Sequence, residues 1–181
     1  MTCGVRFCTW GLREGVGMLE TLVDTVKNIL EKEDYPAPEE VARALWMYLP
    51  YYFDFTGFFN WMEKKGVSYL DDLLMLCFPS PVDTTSLDGM LKGMAEATWN
   101  MPMPRQMGGE SMLLRWLDDI VYAVKELGAN CSIYCGHHSC KQTWSVFSAV
   151  RNETQKRAGV PTLWLQGDSW IKRMTPVSYL Q

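Results

Sequence analysis

Tyr134-Cys135-Gly136-His137-His138-Ser139-Cys140-Lys141-Gln142-Thr143-Trp144 follows a short apolar run, Cys131-Ser132-Ile133-Tyr134, and leads into a segment that reads as a helix. Its cysteines and histidines therefore lie where a strand hands over to a helix. In open α/β sheets ligands bind at that handover, outside the carboxyl ends of the strands and in front of helix N-termini. Both histidines of the protein and three of its six cysteines are in or next to this stretch. Whatever chemistry the chain performs is expected to centre here.

Working outward, the pattern of strand then helix repeats. Downstream, a helix over about 141–157 ends at Gly159, and Val160-Pro161-Thr162-Leu163-Trp164-Leu165 supplies the next strand. Upstream, Ser111 opens a helix that turns Leu113, Leu114, Leu117, Ile120, Val121, Val124 and Leu127 inward and closes at Gly128. Before it, Ala44-Leu45-Trp46-Met47-Tyr48-Leu49 is a continuous apolar run stopped by Pro50, which suits a buried strand. Asp54 or Thr56 caps a helix through Phe58, Phe59, Trp61 and Met62, and Val67-Ser68-Tyr69-Leu70 is a further strand. Leu87, Met90, Leu91, Met94 and Ala95 mark a crossover helix. Such alternation predicts an α/β fold, a flavodoxin-like parallel sheet of about four strands covered by helices.

The start of the chain differs in character. Met18, Leu19, Leu22, Val23, Val26, Ile29 and Leu30 fall at helical spacing, and Pro36 and Pro38 then break the chain. The expected organisation is a helical N-terminal segment over residues 1–40 and an α/β domain over 41–181, the latter part of a larger two-domain subunit. The end of the chain fits that expectation, because Val177, Tyr179 and Leu180 should begin another covering helix.

Composition narrows the function classes. The 181 residues carry seventeen basic and twenty-one acidic side chains, a net charge of −4, and no basic cluster longer than Lys64-Lys65. That balance argues against nucleic-acid binding. No apolar run approaches the ~20 residues that span a bilayer, and the N-terminus lacks the layout of a secretory signal, so the expected compartment is the cytoplasm. Cytoplasmic thiols stay reduced, and the cysteines read as core residues or ligands rather than disulfides.

Within the central stretch, Cys140 falls in the first turn of the following helix, where backbone N–H groups and the helix dipole favour a thiolate. The two-residue period of a strand puts Cys131, Ile133 and Cys135 on one face and Ser132 and Tyr134 on the other. Cys135, His137, His138 and Cys140 are zinc-type donors, yet their spacing fits none of the common zinc patterns. A Cys140 nucleophile activated by His137 or His138 is a second alternative. On spacing alone the plainest reading is two solvent-facing histidines and an unligated thiol. Gly108-Gly109 before a helix start is a weak phosphate-loop pattern, and Cys3 and Cys8 have no second pair nearby. Asp168 follows the last strand at its carboxyl end, where it faces the functional edge or caps the next helix.

Gly136-His137-His138-Ser139-Cys140-Lys141, the helix behind it, and Arg157-Ala158-Gly159-Val160-Pro161-Thr162-Leu163-Trp164-Leu165-Gln166-Gly167-Asp168 together resemble the C-terminal domain of the 2-hydroxyacyl-CoA dehydratase and benzoyl-CoA reductase family. Arg43-Ala44-Leu45-Trp46, Tyr51-Tyr52-Phe53-Asp54, Phe58-Phe59-Asn60-Trp61-Met62-Glu63 and Gly66-Val67 resemble the first strand, helix and second strand of the same domain. The resemblance implies an iron–sulfur subunit of a heterodimer, with a [4Fe–4S] cluster held by cysteine thiolates. An ATP-hydrolysing activator would supply single electrons for ketyl-radical dehydration of a 2-hydroxyacyl-CoA or for reduction of an aromatic acyl-CoA. Carried over by position, Cys140 is a cluster ligand and Cys77 a further one, and His137 and His138 line the cluster or acyl-CoA pocket. The alternative is a truncated, non-catalytic module whose Trp- and Met-rich surface serves subunit contact.

Overall fold

The structure is a computed structural model and describes residues 12–37, 39–74, 76, 81–101, 104–105, 112–176 and 178. Cys3, Cys8, Cys77, the Gly108-Gly109 pair, Ser111 and most of the C-terminal segment lie outside the described residues. Two compact units divide the chain, residues 1–39 and 40–181. In the first, helix α1 (Arg13–Lys32) has no side-chain bond at its N-cap, Leu12, and ends on Glu33 in the left-handed conformation.

The second unit is built on four parallel strands, β1 (Ala42–Met47), β2 (Val67–Asp72), β3 (Cys131–His137) and β4 (Thr162–Gly167). They lie in the order β2-β1-β3-β4, the flavodoxin-like arrangement. Helix α2 (Phe55–Lys64) joins β1 to β2, and α3 (Leu87–Trp99) and α4 (Met112–Leu127) lie between β2 and β3. Helix α5 (Lys141–Ala158) joins β3 to β4 and ends on left-handed Gly159, which is open to solvent and needs no Cβ-bearing neighbour to move. Among the described residues no helix is long and apolar enough to cross a membrane.

Strand alternation divides the core in two. Leu45, Met47 and Tyr134 face Trp116, Ile120, Ala123 and Val124 of α4 and Phe147 and Val150 of α5. Ala44, Trp46, Ile133 and Cys135 face Phe58, Phe59 and Met62 of α2. Trp46 anchors that second layer, meeting Phe59 and Phe58 edge-on with ring centroids 5.1 and 5.8 Å apart. The expected inward face of α4 is corrected in one respect. Leu114 is exposed and Trp116 is buried, because the packed stripe runs through Trp116, Ile120 and Ala123, one step round the helix.

Two features fix the register on which the site depends. The Arg43 guanidinium donates to the carbonyls of Leu127 and Gly128 at the carboxyl end of α4, at 2.9 and 3.1 Å, where a cation is favoured. Its backbone N–H donates to Asn130 Oδ1 at 2.9 Å, tying the start of β1 to the start of β3. Between β1 and β2 the pairing skips Leu70, so that Asp72 is opposite Trp46.

Candidate functional site

The direction of strand succession reverses between β1 and β3, so the crevice outside their carboxyl ends is the topological switch point. From β1 comes Tyr48, the residue just after the strand. It has a backbone φ of +79°, a left-handed conformation that costs a bulky side chain free energy. Its ring packs edge-on against Trp116, centroids 6.0 Å apart, and its hydroxyl donates to Cys140 Sγ at 3.3 Å.

Cys140 occupies the N-cap position of α5. Its sulfur makes no full capping hydrogen bond, but the N–H groups of the first turn point toward it and favour the anion. Burial opposes ionisation of the thiol. The Thr143 side chain, the Tyr48 hydroxyl and the backbone N–H groups of Thr143 and Gln142 outweigh it and hold the thiol below its usual range. Burial, reinforced by the bond to Cys140, pushes the Tyr48 phenol up, so that it stays a proton donor.

The other described cysteines behave differently. Cys135 is fully buried, and burial pushes its thiol up to about 12 despite a hydrogen bond from Tyr51. Burial also raises Cys131. Both are core residues, and among the described cysteines Cys140 alone has the environment of a thiolate.

His137 ends β3, and its ring nitrogens are both engaged. Nδ1 accepts the N–H of Ser169 at 3.3 Å and Nε2 lies 2.6 Å from Ser139 Oγ. An acceptor Nδ1 leaves the proton on Nε2, which then donates to Ser139. The chain beyond His137 is held by the Trp144 indole, which donates to the His137 carbonyl at 3.0 Å, and by the His138 N–H on the Gly167 carbonyl at 3.1 Å. Gly136 is required here, since a Cβ would stand 2.8 Å from the Trp144 ring.

Asp168, at the end of β4, is buried. Its Oδ1 accepts the N–H groups of Trp170 and Ile171, both at 2.7 Å, closing the turn ahead of the next helix, whose N-cap is Ile171 and not Asp168. Its Oδ2 lies 3.6 Å from His138 Nε2. Burial raises this carboxyl, but the two N–H groups, His137 and His138 outweigh it and keep it below the usual range. Thr175, itself buried, holds the turn from behind: its Oγ1 accepts the Asp168 N–H at 2.6 Å and donates to the Asp168 carbonyl at 3.2 Å.

Donor atoms of His137, His138 and Asp168 all fall within 4.8 Å of one another. The structure thus gathers two of the four site residues expected from sequence around Asp168. It sets the third, Cys140, against Tyr48, while Cys77 lies outside the described residues. Sequence reasoning missed Tyr48, which it read as part of a buried strand.

A family model described as 2-hydroxyglutaryl-CoA dehydratase, D-component, matches residues 1–178 of the chain. No curated protein matches it significantly.

Proposed function

Because the chain belongs to the 2-hydroxyglutaryl-CoA dehydratase D-component family, we propose that it is the iron–sulfur subunit of a 2-hydroxyacyl-CoA dehydratase-type enzyme. It works beside a homologous partner subunit. Cys140 is a thiolate ligand of a [4Fe–4S] cluster and Cys77 a second. The single observation that carries this reading is the environment of Cys140: a part-exposed thiol at the switch point, at the head of α5, held below its usual pKa with a phenol donating to its sulfur.

The donor chemistry fits a cluster at this one described position, since iron–sulfur clusters bind thiolates and the sulfur here is biased toward that form. Cys131 and Cys135, both pushed up by burial, are unsuited to the role. Cys77 supplies the second thiolate of this reading. When bound, the cluster supplies single electrons at low potential, received from an ATP-hydrolysing activator. The chain's own residues hold and insulate it: Tyr48 fixes the sulfur, and Trp116 buttresses the Tyr48 ring. His137 and His138 line the pocket in which an acyl-CoA thioester lies. The reducing cytoplasm, which keeps thiols free for ligation, is the compartment this reading assigns.

The test is iron and acid-labile sulfide per chain, with a visible spectrum, on protein purified without oxygen, alone and with its partner. The expected result is a brown preparation whose iron falls in Cys140→Ala. Equal iron in the two proteins would remove Cys140 from the ligand set. A folded, iron-free chain in both preparations would leave a subunit-interaction module in place of the cluster reading.

A further inference from the structure

We propose that His137, His138 and Asp168 form a mononuclear binding site for a divalent transition-metal ion, separate from Cys140. The geometry of the His138–Asp168 pair is the starting point. Their facing atoms, Nε2 and Oδ2, are 3.6 Å apart. That is too long for a hydrogen bond. Two ligands bonded at 2.0–2.1 Å to one tetrahedral ion stand roughly 3.3 Å apart, so a small closing movement suffices.

The carboxylate is prepared for such a role. Asp168 has spent Oδ1 on the N–H groups of Trp170 and Ile171, and it is fixed behind by Thr175. Oδ2 is left with His138 as its neighbour, and the group is buried. A buried, oriented carboxylate with one uncommitted oxygen is what a cation site requires.

His137 completes the set, with its donor atom within 4.8 Å of the other two. Of its two contacts, the Ser169 N–H at 3.3 Å is the longer and the Ser139 bond at 2.6 Å the shorter. We take Nδ1 as the ligand atom, because coordination there displaces the weaker contact and keeps Nε2–H on Ser139. That outer hydrogen bond orients the ring, as metal-bound imidazoles commonly require. Ser169 is fully buried, and its hydroxyl has no partner among the described residues.

Two imidazoles and one carboxylate suit Zn2+, Fe2+, Co2+ or Ni2+ rather than the oxygen-preferring Mg2+ and Ca2+. Three protein donors leave a fourth position for an oxygen ligand, water or the carbonyl of a substrate. The site does not depend on the cluster reading, because Cys140 is not among its donors.

The experiment uses the full iron-free chain carrying Cys140→Ser, titrated with Co2+ and followed by visible absorption. The expected result is saturation at one equivalent, with d–d bands and no sulfur-to-cobalt charge-transfer band. His138→Ala and Asp168→Asn, added singly, are each expected to weaken binding by at least about tenfold. His138 is exposed and its side chain makes no hydrogen bond among the described residues, so His138→Ala keeps the fold even if Asp168→Asn does not. No saturable bands, a charge-transfer band, or affinity unchanged in His138→Ala would each overturn the proposal.

Discussion

Tyr48 reaches across the switch point from β1 to donate its hydroxyl to Cys140 Sγ at 3.3 Å, joining residues 92 positions apart in the chain. A non-glycine residue held at φ +79° is retained only when its surroundings fix it, and here Trp116 and the sulfur do so. The strained turn and the lowered thiol pKa are one device.

Tyr48→Phe keeps the ring against Trp116 and removes the donor. The Cys140 thiol is then expected to titrate higher than in the wild type, and its alkylation by iodoacetamide at pH 7 to slow several-fold in the iron-free chain. Peptide-resolved mass spectrometry against pH reads this at Cys140 alone. An unchanged profile would show that the hydroxyl does not reach the sulfur in solution.

Asp72 gives the fold a pH dependence. Burial, with a smaller contribution from Asp71, raises its carboxyl to about 7 although its Oδ1 accepts the Leu74 N–H at 2.8 Å. The folded chain holds this proton more tightly than the unfolded chain, whose carboxyl titrates near ~3.9. Stability from this group is therefore full below about pH 4, declines as the pH rises, and is lost above about 7. Asp72→Asn is expected to raise stability at pH 8 by up to about 4 kcal/mol and to change it little at pH 4. Urea unfolding at both pH values checks the sign.

Gly167 sits where β4 meets the Asp168 turn, and a Cβ there would stand 2.5 Å from Thr175 Oγ1 and 3.1 Å from the Tyr51 ring. Gly167→Ala must displace Thr175, which brackets Asp168 on both its N–H and its carbonyl. The expected cost is about 1–3 kcal/mol in thermal or urea unfolding. An unaffected stability would mean that the turn moves freely and does not position Asp168.

What the sequence shows of this site is what is local in the chain. Cys140 at the head of α5 and the strand before it are legible because helix start and strand period are set by neighbouring residues. Asp168 was visible as an edge residue, but its meeting with His138 needs the pairing of β3 with β4, which puts His137 opposite Gly167. Tyr48 carries no signal at all. It lies inside the apolar run Ala44 to Leu49 that Pro50 stops, and neither its positive φ nor its reach to Cys140 is a property of that run. The inward face of α4 failed at Leu114 for a similar reason. A 3.6-residue period gives a stripe, and Trp116 claimed one edge of it by its volume.

The strand order has a consequence for the chain as it is made. β1, α2 and β2 leave the ribosome well before β3 and pair locally, while the second edge of β1 waits for β3, whose start is tied to Arg43 from 87 positions away. Through that interval a fully apolar strand, Ala44 to Met47, presents unpaired backbone groups to any other chain. The Cys140 sulfur likewise meets its phenol only after β3 has docked. Thiol activation is thus deferred to the closing of the sheet, and a nascent chain is exposed to self-association before that thiol is activated.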